Sequence, residues 1–280
     1  MTQKKVKNDT FDNEKQKAAL VATVKVILCI ILLFAIPMIL FNPNISLGIF
    51  DFFRHDFFKT EIILKGRTYD TDGLVKSIKR KDIKLINLYV RSGFDLNKLD
   101  SQGISPACVA AELGNTEVMS ALMQGALNLF TINQSDKMTP AFCSIRSDNV
   151  KMFSTLLKSG ISLNTKNDKV NGISFIHYAA ALGKDAVLSY IVEQGADVNV
   201  IDMLGRTPLH FAATQNKITV LYVLLNAGAV VDVVDQNGET PMDVAKKYGH
   251  DKYIDIMERY SSTNAQQKPL PKKGITENKK

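Results

Sequence analysis

The hydrophobic and polar positions of this chain divide it into three parts. One long apolar run covers residues 18–41, in which Lys25 is the only charged side chain. Between residues 70 and 260, apolar residues recur with helical spacing in short stretches separated by polar turns and glycines. Residues 261–280 are rich in Lys, Pro, Asn and Gln, a composition too polar to bury a core. The pattern predicts one membrane-length helix, an all-α repeat region and a disordered basic tail.

The apolar run has the length that a membrane-spanning helix needs, about 20 residues. Lys25 can extend its ammonium group to the headgroups, and membrane helices tolerate a proline such as Pro37. Five Lys precede the run and Lys25 lies in its N-terminal part, six in all, against Arg54 and Lys59 in the first twenty residues after it. Because basic flanks stay in the cytoplasm, and no small-x-small cleavage site follows, the run predicts a signal anchor. Residues 1–17 would then be a basic cytoplasmic N-terminus.

A Phe-rich linker, residues 42–69, connects the predicted span to the repeats. Its Phe side chains alternate with charged ones between Phe50 and Lys59. Such a mixture is typical of a helix lying on the membrane surface, here on the outer leaflet. The same residues can instead cover the open end of the following repeats, since a stack of repeats must be closed at both ends. Both interpretations remain open.

A repeated segment organises residues 70–260. Five similar openings, each with Thr or Ser at the third position, begin 34, 35, 33 and 33 residues apart. Each leads into a short Ala-rich helix, a turn and a second apolar helix. Thr or Ser supplies an N-cap oxygen, and the Pro that follows in four openings suits the first helical position. The openings start at Gly103, Lys137, Gly172, Gly205 and Gly238.

The openings Thr207-Pro208-Leu209-His210 and Ser174-Phe175-Ile176-His177 resemble the ankyrin-repeat family. The resemblance implies an all-α ankyrin-repeat solenoid, built of helix-turn-helix units with β-hairpin-like fingers and preceded here by one transmembrane helix. It also implies that Thr207, Pro208, His210 and His177 are scaffold residues, the imidazole tying a hydroxyl to the next loop. The predicted units are 70–102, 103–136, 137–171, 172–204, 205–237 and 238–260, of which the first and last are caps.

The second and third units depart from the pattern. Cys108 and Phe142 occupy the motif His position, and Asp148 replaces the Gly of the turn. Both units also have longer fingers, over residues 129–136 and 164–171. We therefore expect these two units to pack less regularly than the others.

No catalytic, cofactor-binding or metal-binding pattern is found in the sequence. The four His are His55, two motif His and His250, and the chain has no Gly-rich phosphate loop, nucleophile elbow or zinc motif. Cys108 and Cys143 lie in the first helices of adjacent units but at different motif positions. Because Cα atoms more than about 7 Å apart cannot be bridged, we predict two buried free thiols. The sequence predicts neither an enzyme nor a small-molecule substrate.

Charge excludes nucleic acid as an expected partner along the repeats. The chain carries a formal net charge of +7, yet residues 26–260 contain 24 basic and 24 acidic side chains. The excess therefore lies in the two termini.

The remaining function is protein binding through fingers and first helices, as the resemblance implies. Phe130 and Ile132 can alternatively fold inward to cover the irregular units. We predict a single-pass inner-membrane protein of a bacterium, with periplasmic repeats that bind an enzyme or neutralise a toxic effector. The alternative is a cytoplasm-facing adaptor or a host-directed effector. The predicted binding residues are Tyr178, Phe211, Met203, Leu204, Phe130 and Ile132.

Overall fold

A computed structural model describes residues 55–267, with side chains up to residue 262. These residues form two compact units. The first comprises residues 55–101 and 120–127, and the second comprises residues 102–119 and 128–267. In this part of the chain, no helix has the length and apolar composition to cross a membrane. The predicted signal anchor at 18–41, the N-terminus before it and the end of the tail lie outside the described residues.

The first compact unit contains three helices: α1 over residues 55–64, α2 over Thr71–Lys79 and α3 over Ile83–Arg91. Acidic side chains begin the last two. Asp70 accepts from the backbone N–H of Gly73 at 2.7 Å, and Asp82 accepts from that of Leu85 at 3.0 Å. These caps satisfy N–H groups that have no partner within their helix. The fully buried side chains of these helices are Ile62, Leu74, Ile78, Ile86 and Tyr89.

Helix α1 has one buried and one exposed side. Ile62 is fully buried, whereas Phe57 and Ile63 are 43% and 48% exposed. The Lys59 ammonium lies 5.4 Å from the centre of the Tyr69 ring, a cation–π distance. Helix α1 therefore packs on this unit through Ile62, whereas of the Phe residues proposed to cover it Phe57 is exposed and Phe58 is half-buried.

The following helices form pairs, one within each predicted repeat. Within the second compact unit, successive first helices pack on one another, as do successive second helices from α7 onwards. The predicted all-α helix-turn-helix organisation is therefore confirmed for the described residues. The helices are α4 Pro106–Glu112, α5 Thr116–Met123, α6 Pro140–Arg146, α7 Val150–Lys158, α8 Phe175–Leu182, α9 Asp185–Glu193, α10 Pro208–Thr214, α11 Ile218–Asn226, α12 Pro241–Lys247 and α13 Asp251–Gln267.

One finger contains regular strands. Strands β1 (Lys166–Asn167) and β2 (Ile173–Ser174) pair antiparallel, with Lys166 opposite Ser174 and Asn167 opposite Ile173. A 3-10 turn over Asp168–Val170 connects them. The next two fingers are closed by backbone bonds, from Asp202 N to Arg206 O and from Asp235 N to Glu239 O, both 3.0 Å.

The first helix of the third repeat is buried, although the second helices of the second and third repeats do not pack on one another as later ones do, in line with the expected irregularity. Phe142, Cys143, Ser144 and Ile145 are all fully buried. Asp148, at the turn position of Gly, takes the left-handed conformation with φ 49°, and its carboxylate accepts from the N–H of Val187 at 2.9 Å. The replacement of Gly therefore supplies a cap to the next repeat, since helix α9 lacks one from its own N-cap residue.

Cys108 and Cys143 form a disulfide, so the prediction of free thiols is wrong. Their Cα atoms are 5.4 Å apart, within bridging range. Cys108 is the third residue of α4, and Cys143 is the fourth residue of α6. The one-residue offset does not separate them, because the side chain at the third position points toward the next repeat and meets its fourth position.

The same register recurs along the stack. The Phe142 and Tyr178 rings are 5.8 Å apart, and the His177 and Phe211 rings are 5.2 Å apart. In each pair the first residue is third in its helix and the second is fourth in the next first helix. Small neighbours such as Ala179 and Ala212, both fully buried, let the helices approach this closely. The disulfide therefore replaces an ordinary packing contact of the stack.

The last helix ends later than the repeat pattern suggests. Helix α13 continues to Gln267, so residues 261–267 of the expected disordered tail are helical. Tyr253 and Met257 of α13 are fully buried, and the Tyr253 hydroxyl donates to Leu209 O at 3.0 Å. These contacts hold the start of the helix on the preceding repeat.

Candidate protein-binding surface

A buried carboxylate shapes the finger between the fourth and fifth repeats. Asp202 Oδ1 accepts from the backbone N–H groups of Leu204 and Arg206, both at 2.9 Å. Its Oδ2 accepts from Arg206 Nε and Nη2 at 2.9 and 2.7 Å. Burial of a polar side chain without hydrogen-bond partners is costly, so these bonds are needed to hold Asp202 inside the turn. They fix the backbone that presents Met203 and Leu204.

Asp235 has the same role in the next finger. It accepts from the N–H groups of Asn237 and Glu239 at 2.8 and 3.1 Å. Burial alone raises the pKa of Asp235, but these backbone bonds and the Asn237 side chain outweigh it, and the pKa is lowered. The carboxylate therefore remains charged and the turn remains closed at neutral pH.

Asn replaces Asp at this position in the two earlier fingers. Asn133 Oδ1 accepts from Ser105 N at 2.9 Å, and Asn167 Nδ2 donates to Lys137 O at 2.9 Å. Each of these bonds joins the finger to the opening at the start of the same repeat, with Asn133 as acceptor and Asn167 as donor, because an amide can do both.

Backbone bonds also connect one finger to the next. Met203 N donates to Asn171 O at 2.8 Å, and Gln236 N donates to Leu204 O at 3.0 Å. The Gln236 side chain adds a bond to Met203 O at 2.7 Å. The finger tips from the third repeat to the sixth are therefore held in a fixed spacing.

The residues immediately before the buried Asp or Asn form a row that we call the finger row: Ile132, Lys166, Ile201 and Val234. Ile132, Ile201 and Val234 are 39%, 49% and 56% exposed, although each is a large apolar side chain. Lys166 lies between the first two in sequence and donates to Ile201 O at 3.2 Å. Exposed apolar side chains on a rigid backbone are suited to contact another protein.

Four of the residues predicted from the sequence lie on or beside this row. Phe130 is 60% exposed, Met203 is 55% exposed, and Ile132 and Leu204 also reach solvent. Phe130 and Ile132 therefore do not fold inward over the irregular repeats. The backbone N–H of Phe130 donates to Asn128 Oδ1 at 2.9 Å.

The other two predicted binding residues, Tyr178 and Phe211, have partners within the stack. Both are half-buried. Arg146 Nε donates to the Tyr178 hydroxyl at 3.0 Å, and the Arg206 guanidinium lies 4.4 Å from the centre of the Phe211 ring. Each ring also packs against the preceding repeat, as described above. Both residues thus contribute to the stack, and their role in binding stays a prediction.

Arg146 is the centre of a polar network next to Tyr178. It forms ion pairs with Asp136 and, at 3.5 Å, with Glu112. Burial raises the pKa of Asp136, but hydrogen bonds from Arg146 and Met138 N outweigh it and the pKa is lowered. The network neutralises the guanidinium internally, so it does not form an anion site.

The motif histidines are structural and neutral. His177 Nδ1 accepts from Ser174 N at 3.1 Å and lies 2.8 Å from Ser174 Oγ, while Nε2 lies 3.0 Å from Arg206 O. This arrangement assigns the proton to Nε2, which donates to the carbonyl of the next finger. Burial lowers the pKa of His177 to about 4. His210 makes the equivalent contacts with Thr207 and Glu239 O, and burial lowers its pKa as well.

Sequence reasoning missed Ile201 and Val234. The signal was present, because both stand at the repeat position of Ile132, directly before the polar residue that closes the finger. It was overlooked because exposure at this position depends on the turn, in which the polar residue points inward and its predecessor outward.

Among residues 55–267, no group of His, Cys, Asp and Glu side chains is arranged to hold a metal ion.

Comparison with known proteins agrees with this geometry. A family model for ankyrin repeats, which contains three copies of the repeat, matches residues 74–167 and again residues 168–267. The chain is also 27% identical over 129 residues to a protein of fowlpox virus (strain NVSL) described as an ankyrin repeat protein. That alignment covers 46% of this chain and 30% of the viral protein, so the chain spans less than a third of that relative. Because the family model covers more than half of the chain, the protein belongs to the ankyrin-repeat family.

Proposed function

We propose that the protein is tethered to a membrane by residues 18–41 and binds a partner protein through its finger row on the periplasmic side. Ankyrin repeats are a protein-interaction scaffold and generally not enzymes, which makes binding the function to explain. The observation that carries the binding role is the row of exposed apolar side chains on fingers fixed by buried Asp or Asn side chains. The partner would be an enzyme of that compartment or a toxic effector that the repeats neutralise.

Two observations support the periplasmic side. The unequal distribution of Lys and Arg around the apolar run favours a cytoplasmic N-terminus and repeats on the opposite side. The Cys108–Cys143 disulfide favours an oxidising compartment, because the cytoplasm of most organisms keeps such thiols reduced. The two arguments are independent, since one concerns the flanks of the span and the other concerns the repeats.

Protease accessibility tests the topology. We expect a C-terminal epitope to be digested in intact spheroplasts, while a cytoplasmic control protein is digested only after lysis. Protection of the epitope until lysis would contradict the periplasmic proposal. It would favour a cytoplasm-facing adaptor or a host-directed effector, the alternative consistent with the same repeats.

Charge on the finger row is expected to abolish binding without affecting the fold. In the double variant I201E/V234E, two exposed apolar side chains become acidic, and we expect partner recovery to fall at least about tenfold. The free energy of unfolding should change by less than about 1 kcal/mol, because neither side chain is buried. A photo-crosslinker placed in cells at Met203, which is 55% exposed and unchanged in these variants, identifies the partner, and the recovered adduct is quantified for each variant.

Tyr222 provides the matched control for this experiment. It is 49% exposed on helix α11, outside the fingers. The variant Y222E should leave the amount of adduct unchanged. A crosslinker placed at Tyr222 itself should give no adduct. Equal loss of adduct in Y222E and I201E/V234E would assign the interface to another surface.

A further inference from the structure

Positive charge is concentrated where the first repeat begins. Residues 65–84 contain seven basic and three acidic side chains, a net charge of +4. Residues 85–260 contain fifteen basic and eighteen acidic side chains, a net charge of −3. The balance of charge over residues 26–260 therefore includes one basic segment. Five of its seven cations lie on helices α2 and α3 and the turn between them, and the other two, Lys65 and Arg67, precede α2.

The cations of this segment project into solvent. We call them the basic turn: Lys76, Lys79, Arg80, Lys81 and Lys84. All five are exposed, and none takes part in the ion pairs found among the described residues.

The three acids of the segment are bound elsewhere. Asp70 and Asp82 are the N-caps described above, and Asp72 accepts from Ser101 N and Ser101 Oγ at 3.0 and 2.9 Å. Their carboxylates are held by hydrogen-bond donors of the backbone and of Ser101, and none of them forms an ion pair with a lysine in the described part of the chain.

Lys81 occupies a position that favours glycine. Its φ is 58°, in the left-handed region, and the same turn position is held by Gly114, Gly183 and Gly249 in other repeats. A residue other than glycine is disfavoured in this conformation. A lysine at this position therefore lowers local stability but places a cation at the tip of the turn.

A small cavity lies beside the basic turn. Its volume is about 110 Å³, and its lining includes Arg67, Lys76 and Arg80 together with the capping acid Asp82. Three cationic side chains around a cavity of this size provide room and charge for one phosphate group.

We propose that the basic turn binds the phosphate headgroups of an anionic phospholipid membrane. Clusters of four to eight basic residues near a membrane attract such lipids, each contributing about 1 kcal/mol. The argument rests on the proposed tether, because residues 18–41 would hold the first repeat close to the bilayer and raise the local lipid concentration. Phe57 and Ile63, exposed in the same compact unit, supply apolar contacts of the kind that interfacial helices make.

Nucleic acid fits this surface less well. A duplex is an extended polyanion that would follow the surface beyond one turn, and the residues after the basic turn carry a net charge of −3.

Lysine reactivity in vesicles tests the proposal. The full chain is reconstituted in vesicles of phosphatidylcholine alone or of an equal mixture with phosphatidylglycerol, and acetylation by a membrane-impermeant reagent is followed by mass spectrometry. We expect Lys79, Lys81 and Lys84 to react at least about fivefold more slowly in the anionic vesicles, and high salt to remove the difference. Lys246 and Lys252, exposed in the last repeat, should react equally in both and serve as internal controls.

The variant K81G separates binding from folding. It removes one cation and restores glycine at a left-handed position, so the thermal midpoint should stay the same or rise. The protection of Lys79 and Lys84 in anionic vesicles should nevertheless fall by about fivefold. The control K252Q also removes one charge and should leave that protection unchanged.

Flotation of the vesicles distinguishes failure of this proposal from failure of the tether. Flotation with both lipid mixtures and equal lysine reactivity would overturn the basic-turn proposal alone. Flotation with neither would overturn both, and flotation only with phosphatidylglycerol would support the basic turn and overturn the tether. Stronger protection by added duplex DNA than by anionic vesicles would overturn the lipid assignment in favour of nucleic acid.

Discussion

Reduction of the Cys108–Cys143 disulfide is expected to lower the free energy of unfolding by about 3–4 kcal/mol. The bond joins residues separated by 35 positions, and a cross-link of this span removes a corresponding amount of chain entropy from the unfolded state. Both sulfurs are buried at the contact between the second and third repeats. Urea unfolding of the oxidised chain, and of the chain refolded under reductant, measures the difference.

Two variants sharpen this prediction. C29S removes the third cysteine, prevents exchange with the pair and should leave the oxidised stability unchanged. C108A/C143A should resemble the reduced chain, or be somewhat less stable because two buried sulfur atoms are lost. Equal urea midpoints for the oxidised and reduced forms of C29S would contradict a stabilising disulfide, and free thiols in the native, unreduced chain would contradict its formation.

Mild acid is expected to destabilise the repeats. Burial lowers the pKa of His177 to about 4, against 6.5 in the unfolded chain, and the pKa of His210 is lowered as well. Between these values the unfolded state binds more protons than the folded state. The stability is therefore complete above pH 6.5 and falls as the pH decreases toward 4. His177 alone accounts for about 2 kcal/mol at pH 5.

Urea unfolding at pH 7 and pH 5 measures this loss. The variant H177N/H210N should be less stable at pH 7 but should lose less between the two pH values, because the two buried imidazoles are absent. Carboxylates such as Asp235, whose pKa is lowered from 3.8, affect stability only below that pH and do not overlap this window. Equal losses in the variant and the parent chain would contradict the role of the histidines.

The disulfide also relates stability to compartment. If the repeats are periplasmic, as proposed, the disulfide forms there and raises the free energy of unfolding by the expected amount of about 3–4 kcal/mol. In a reducing cytoplasm the same chain would depend on packing alone. The redox state of Cys108 and Cys143 in cells is therefore informative about the topology.

The sequence determined the repeat organisation of this protein. The period of the openings, the N-cap Thr or Ser and the turn glycines place one helix pair in each predicted repeat, and the structure confirms those pairs between residues 71 and 267. These features are local, because a cap, a turn and an apolar face each depend on residues close in the chain. Four finger residues were identified for the same reason, among them Met203 and Phe130.

The contacts between repeats were decided only by the tertiary structure. The pairing of the third helix position with the fourth position of the next repeat joins Cys108 to Cys143 and packs His177 against Phe211. This register depends on how closely and at what offset neighbouring helices pack, which small side chains permit but no local pattern specifies. It is why a disulfide appeared where free thiols were predicted. It is also why two aromatic residues chosen as exposed are half-buried, whereas the inward turn of each buried Asp or Asn left Ile201 and Val234 in solvent.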